Sequence, residues 1–264
     1  MRGFSLVELS IVLVILGLLT GGILAGQSLI RASELRAVTT EYQRYTAAGN
    51  TFRDKYFAIP GDFRDATRFW GRTVVAGHCV SNSGLAVAGT PGTCDGNGDG
   101  SVNLGGAGSQ SAEVIQLWRH LALAGLIEGD YTGLAGAGGG GECVLGTNCP
   151  RSKLSNAGWG VWPIGNYAGD TGTYAYDYGN MLGTGAQWAT AWPLSSAFRP
   201  EEVWNIDTKI DDGKPHSGRV LPRVNQNFGA AAACTTSTSQ TDRTGDYKLT
   251  VTSKECSIHF AKAF

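Results

Sequence analysis

The stretch "GFSLVELSIVLVILGLLTGGILAGQSLIR", residues 3–31, decides how the rest of the chain is read. From Leu9 to Ile30 it holds 22 residues without a charge, with Arg2 before it and Arg31 after it. About 20 apolar residues in a helix cross the hydrocarbon core of a bilayer. One acid, Glu8, stands at the threshold of the run, and a lone charge in hydrocarbon is costly unless it is paired. A secretory signal peptide, cut near Ala25, has an apolar region of only about 7–15 residues and no reason for an acid at its start. An ordinary single-pass anchor is the other plain alternative. Arg2 is a weak inside-positive signal, which places everything after Arg31 outside.

Outward from this run, the helical pattern continues. Leu35, Val38, Tyr42, Tyr45, Gly49, Phe52 and Tyr56 recur at steps of three and four, with Glu34, Glu41, Arg44 and Arg53 off that stripe. Pro60 and Gly61 supply a stop. A helix from residue 4 to Tyr56 is about 80 Å long at 1.5 Å per residue. Its outer half needs an amphipathic face because a globular head must pack on it. Gly17, Gly21, Gly22 and Gly26 weaken the inner half by roughly 1 kcal/mol each relative to alanine. They read either as close helix–helix contacts or as a segment that unwinds.

The motif G-F-S-L-V-E-L-S-I-V-L-V-I-L-G, from Gly3 to Gly17, resembles the processing and assembly signature of type IV prepilins and type II secretion pseudopilins. The leader Met1-Arg2-Gly3 is shorter than in many relatives. The resemblance implies cleavage between Gly3 and Phe4 by a membrane prepilin peptidase, and N-methylation of Phe4. It also implies a type IV pilin-like α+β fold: a leader (1–3), a transmembrane and filament-core helix (4–30), an amphipathic continuation (31–59) and an extracytoplasmic head (60–264). Its implied partners are other copies of the chain in a helical homopolymer, an inner-membrane assembly platform and its ATPase motor. The resemblance gives Glu8 a role, since it would meet the Phe4 amine of a neighbouring subunit. A buried ion pair adds little net stability but sets register, because a mismatch strands a charge. The chain would sit in the inner membrane and then in a periplasmic or surface filament. The stretch "YFAIPGDFRDATRFWG", residues 56–71, more loosely resembles a helix-to-head junction of large prepilin-like proteins.

Over the whole chain, charged residues are 16%, below the usual figure of about 25%, and the 39 glycines point to a loop-rich body. A net charge of −1 gives no footprint for nucleic acid. Six cysteines in a chain with an export signal read as disulfides, and the absence of a C-x-x-C pair argues against zinc. Six allow about fifteen pairings; the neighbour pairing Cys79–Cys94, Cys143–Cys149 and Cys234–Cys256 is favoured.

In "CDGNGDGSVN", residues 94–103, Asp95, Asn97, Asp99 and Ser101 alternate with glycines, as oxygen ligands do in calcium loops. The twelfth position from Asp95 is Gly106, so this is no EF-hand. Glu113 could fold back as the missing carboxylate, and a solvated glycine-rich turn is the alternative. Asp207, Asp211 and Asp212 form a second acidic group that a plain turn also explains.

Helices are expected from Ser111 to about Leu126, capped by Gly125, and over "RPEEVWNIDTKIDDG", residues 199–213. His120 reads as a surface or satisfied histidine rather than a ligand. The segment from Ala135 to Glu142 reads as a flexible loop by composition. Runs such as "WGVWPIGNY" and "TYAYDYG" read as antiparallel strands, with "DYKLTVT" and "ECSIHF" closing the sheet. The seven tryptophans read first as core, with sugar stacking as the rival.

No nucleophile elbow, H-E-x-x-H, P-loop or dinucleotide fingerprint is present, so no enzyme is expected. The chain reads as a main filament subunit. A minor pilin or type II secretion pseudopilin that primes or tips a filament is the alternative, and a membrane-anchored sugar-binding surface protein is a more distant one.

Overall fold

The computed structural model describes residues 5–73, 79, 92–104, 112–139, 141–163, 166–167, 171–224 and 228–264. Helix α1, Leu6–Tyr56, runs unbroken for 51 residues, through all four glycines of its inner half. It ends at Phe57, which takes the left-handed conformation at φ 53° and donates its N–H to the Arg53 carbonyl, three residues before Pro60. The expected stripe holds: Val38, Tyr42, Tyr45, Gly49 and Phe52 are buried, and Leu35 and Tyr56 pack against the core from its edge. One expectation fails. Glu41 does not lie off the stripe but is buried with it, because the head supplies three hydrogen-bond donors to its carboxylate.

The other helices are α2 (Ala66–Trp70), α3 (Glu113–Leu123) and α4 (Pro200–Ile210). The end of α3 shows why Gly125 matters. Gly125 at φ +70° donates to the Ala122 carbonyl, and Leu126 donates to Leu121, which satisfies two of the carbonyls in the last turn. Helix α4 starts at Pro200, whose missing N–H costs nothing at a helix N-terminus, with Glu201 and Glu202 in its first turn.

The strands are β1 (Ala157–Pro163), β2 (Asn166–Tyr167), β3 (Tyr176–Asp177), β4 (Asn180–Ala186), β5 (Val220–Val224) and β6 (Cys256–Phe260). Four form an antiparallel sheet in the order β1-β4-β6-β5, while β2 and β3 pair separately. The period of two puts Trp159, Leu182, Ile258 and Phe260 on the face toward α1. There Tyr42 stacks on Phe260 at 4.2 Å, and Tyr45 meets Trp118 and Trp159 edge-on at 5.2 and 5.5 Å. On the opposite face Gly183 leaves the space for Trp192. A Cβ there would lie 2.3 Å from the indole. The run "DYKLTVT" is not a strand. It makes one bridge, Thr235 to Tyr247, and then turns, because β6 is already flanked by β4 and β5.

The three expected disulfides form, with Cα atoms 5.3 Å apart in Cys79–Cys94, 5.7 Å in Cys143–Cys149 and 5.4 Å in Cys234–Cys256. The chain is therefore α+β: a long N-terminal helix, apolar in its first half, carrying a disulfide-stapled head with an antiparallel sheet.

Candidate functional site

Two places collect the residues singled out by sequence. The first is the inner half of α1, which is long and apolar enough to cross a membrane, and none of its most apolar window is buried. Leu6, Leu13, Leu18, Leu24 and Leu29 are each more than half exposed. Glu8 caps the start of the helix: its carboxylate accepts the Ser5 N–H at 2.8 Å, while the Ser5 hydroxyl accepts from Val7. Such a reciprocal cap satisfies donors that have no partner within the helix. Gly3 and Phe4 lie outside the described residues.

The first turn beyond the apolar run is fastened to the head. Arg31 donates to both Glu202 oxygens at 2.6 Å, to the Ala197 carbonyl at 3.0 Å and to Glu34 at 3.1 Å. The hydrogen bonds to Glu202 raise the Arg31 pKa, offset in part by burial. Burial pushes the Glu202 carboxyl up, but the bonds from Arg31 and the Arg199 N–H outweigh it and leave Glu202 below its usual range. Nearly three turns on, Glu41 accepts from Ser152 Oγ at 2.6 Å and from Lys153 N and Trp159 Nε1 at 2.8 Å. Sequence reasoning missed this anchor because its partners lie more than 100 residues away.

The second place is the acidic loop. Asp99 and Glu113 converge as anticipated, and Asp62 joins them, with carboxylate oxygens of the three within 4.8 Å of one another. Asp62 accepts the backbone N–H groups of Gly98 at 2.5 Å, Asp99 at 3.2 Å and Gly100 at 2.8 Å. Glu113 accepts from Asn97 N at 2.7 Å and Asn103 N at 2.8 Å, while the side chains of Asn97 and Asn103 donate to Asp99. Ser101 donates its N–H to Asp99. Asp95 is turned elsewhere: both of its oxygens accept from Thr67, at 2.7 and 2.9 Å. No local signal marks Asp62 as the third acid, which lies 37 residues before Asp99.

His120 holds this loop in place from α3. Fully buried, it accepts the Gly61 N–H on Nδ1 at 2.9 Å, and its Nε2 lies 3.0 Å from the Cys94 carbonyl. Burial pushes its pKa down to about 4, so it serves as a neutral strut. Burial pushes Glu113 up to about 7 against the opposing bonds from Asn103 and Asn97, with the charges of Asp62 and Asp99 adding to the rise. Burial likewise raises Asp62. An all-oxygen set of three carboxylates suits a hard cation such as calcium, which would relieve that repulsion.

The other acidic group, Asp207, Asp211 and Asp212, also converges, but each member holds part of a turn. Buried Asp207 accepts the Tyr247 hydroxyl at 2.7 Å and the Gly213 N–H at 3.2 Å, Asp211 accepts the Arg219 N–H, and Asp212 accepts from Lys214 N and Ser217 Oγ. Burial pushes Asp207 up to about 7 despite the Tyr247 bond. No family model, curated protein or solved structure matches this chain.

Proposed function

We propose that this chain is a structural subunit of a type IV pilus-like filament, cleaved after Gly3, methylated at Phe4 and polymerised through the inner half of α1. One observation carries the reading. A single unbroken helix is apolar and without a buried residue over one half and built into the head core over the other, and Glu8 is the only ionisable group on the apolar half. Exposed apolar surface on that scale calls for a bilayer or for copies of itself. Helices bundled side by side would satisfy the apolar faces, and each Glu8 would exchange its local cap for the Phe4 amine of a neighbour. A heterologous contact of this kind propagates without closing, which is how an open helical polymer arises. The same reading assigns a calcium ion to Asp62, Asp99 and Glu113, stiffening the junction between α1 and the head.

Mass spectrometry of the mature protein tests the processing step, with the expected chain beginning at a monomethylated Phe4. Glu8→Ala is expected to insert in membranes and to yield no filaments in sheared-cell electron micrographs. A mature chain that retains Met-Arg-Gly, or normal filaments from the Glu8 variant, refutes the proposal.

A further inference from the structure

Between α1 and α4, in the first turns beyond the apolar run, lies a groove of about 470 Å³. Ala32, Leu35 and Ile206 give it an apolar strip beside the polar Thr39, Thr40 and Asn205, and its rim carries the exposed side chains of Arg36 and Lys209. The one carboxylate that lines it, Glu202, is held by Arg31 through two 2.6 Å bonds and leaves the rim cationic.

The height of this groove matters. If the hydrocarbon ends near Ile30, Arg36 stands about 9 Å higher on the helix axis, and the headgroup layer is about 5–8 Å thick on each side. Side chains on a helix lean toward its N-terminus, so Arg36 reaches down toward that layer. Below Ala32 on the same face come Ser28, Ala25 and Gly21, at steps of three and four. A Cβ at Gly21 would meet nothing within 4 Å, so the face beneath the groove is open.

We propose that the α1–α4 groove binds an anionic phospholipid. Its phosphate would lie between Arg36 and Lys209, and one acyl chain would follow the small residues toward Gly21. Three features select this occupant: the cationic rim, the apolar strip of Ala32, Leu35 and Ile206, and the continuation of that strip into the apolar half of the helix. The inference rests on the membrane reading above.

The test uses the full chain, reconstituted in vesicles of equal parts phosphatidylglycerol and phosphatidylcholine, then extracted gently for native mass spectrometry. The retained lipid is expected to favour phosphatidylglycerol by about tenfold, from two basic groups near an anionic headgroup. Arg36→Gln/Lys209→Gln is expected to bring the ratio to within about twofold of parity while still floating with pure phosphatidylcholine vesicles. Arg53→Gln/Lys55→Gln, an equal charge loss at the far end of α1, should keep the preference. Parity in the unaltered protein, or an undiminished preference in the Arg36/Lys209 variant, overturns the lipid site alone. A lipid-free dimer that disappears in that variant assigns the groove to a second copy and also overturns it. Failure of the unaltered chain to float with phosphatidylcholine vesicles refutes the membrane reading, and this inference with it.

Discussion

Removing the Glu41 carboxylate should loosen the head from its helix. Glu41→Ala strips the acceptor from Trp159 Nε1, Lys153 N and Ser152 Oγ. Trp159 is fully buried, so its N–H has no route to solvent without opening the core. A hydrogen bond to a charged group contributes about 1.5–3 kcal/mol, and an orphaned buried donor costs about 1–3 kcal/mol. Ser152 Oγ and Lys153 N lie at a half-buried edge that water can reach, so the orphaned Trp159 indole dominates, for a net loss of about 2–4 kcal/mol. Alanine's better helix propensity returns only a few tenths of a kcal/mol. Against a typical total of about 5–15 kcal/mol, the loss is large. Denaturant unfolding of the full chain in mild detergent, followed by tryptophan fluorescence, reads it directly. Glu41→Gln keeps one acceptor oxygen and the volume, and should lose about half as much. Unfolding free energies for Glu41→Ala within about 1 kcal/mol of the unaltered protein would show that these bonds are not what fastens the sheet to α1.

Other expectations follow from the same geometry. Asp207 has its folded pKa raised to about 7, so the folded chain holds this proton more tightly than the unfolded chain. Its ionisation therefore lowers stability as pH rises from about 4 to about 7. Asp207→Asn should flatten that part of the stability–pH curve, with a gain at pH 8 of at most about 4 kcal/mol, and an unchanged curve counts against the assignment. Opening Cys234–Cys256 by a double alanine substitution releases a loop of sequence separation 22 and should cost about 3 kcal/mol, read as a lower melting midpoint under non-reducing conditions. Millimolar calcium should raise the midpoint of the chelator-treated protein, and Asp99→Asn should abolish the rise; no rise in the unaltered chain removes the ion from the account.

The features legible in the sequence were those set by local rules. The stripe on α1, the glycine cap of α3, the proline start of α4 and the neighbour disulfides all depend on spacings within one element or one loop. What escaped depended on distant segments. Glu41 looked solvent-facing because its donors arrive from residues 152–159. Asp62 completes an acidic group whose other members lie beyond residue 98, and nothing local to Pro60-Gly61-Asp62 announces it. Strand β4, with four polar-or-glycine positions in "NMLGTGA", hides behind glycines that admit Trp192 at Gly183 and the backbone of Pro193 and Ser195 at Gly185. The segment 246–252 carried strand-like composition, but no sheet edge was left for it beside β6.

The Arg31 clasp has a mechanical consequence. With the head gripped from the first turn past Ile30, and again at Glu41, there is no swivel at the neck. A pull or twist that reaches the Arg31 turn must pass to the head undiminished, as it does from a screwdriver's shaft to its handle. Whatever compliance the molecule has belongs to the glycine-bearing shaft below Arg31, so a load tilts or stretches that portion while the head rides along as one body.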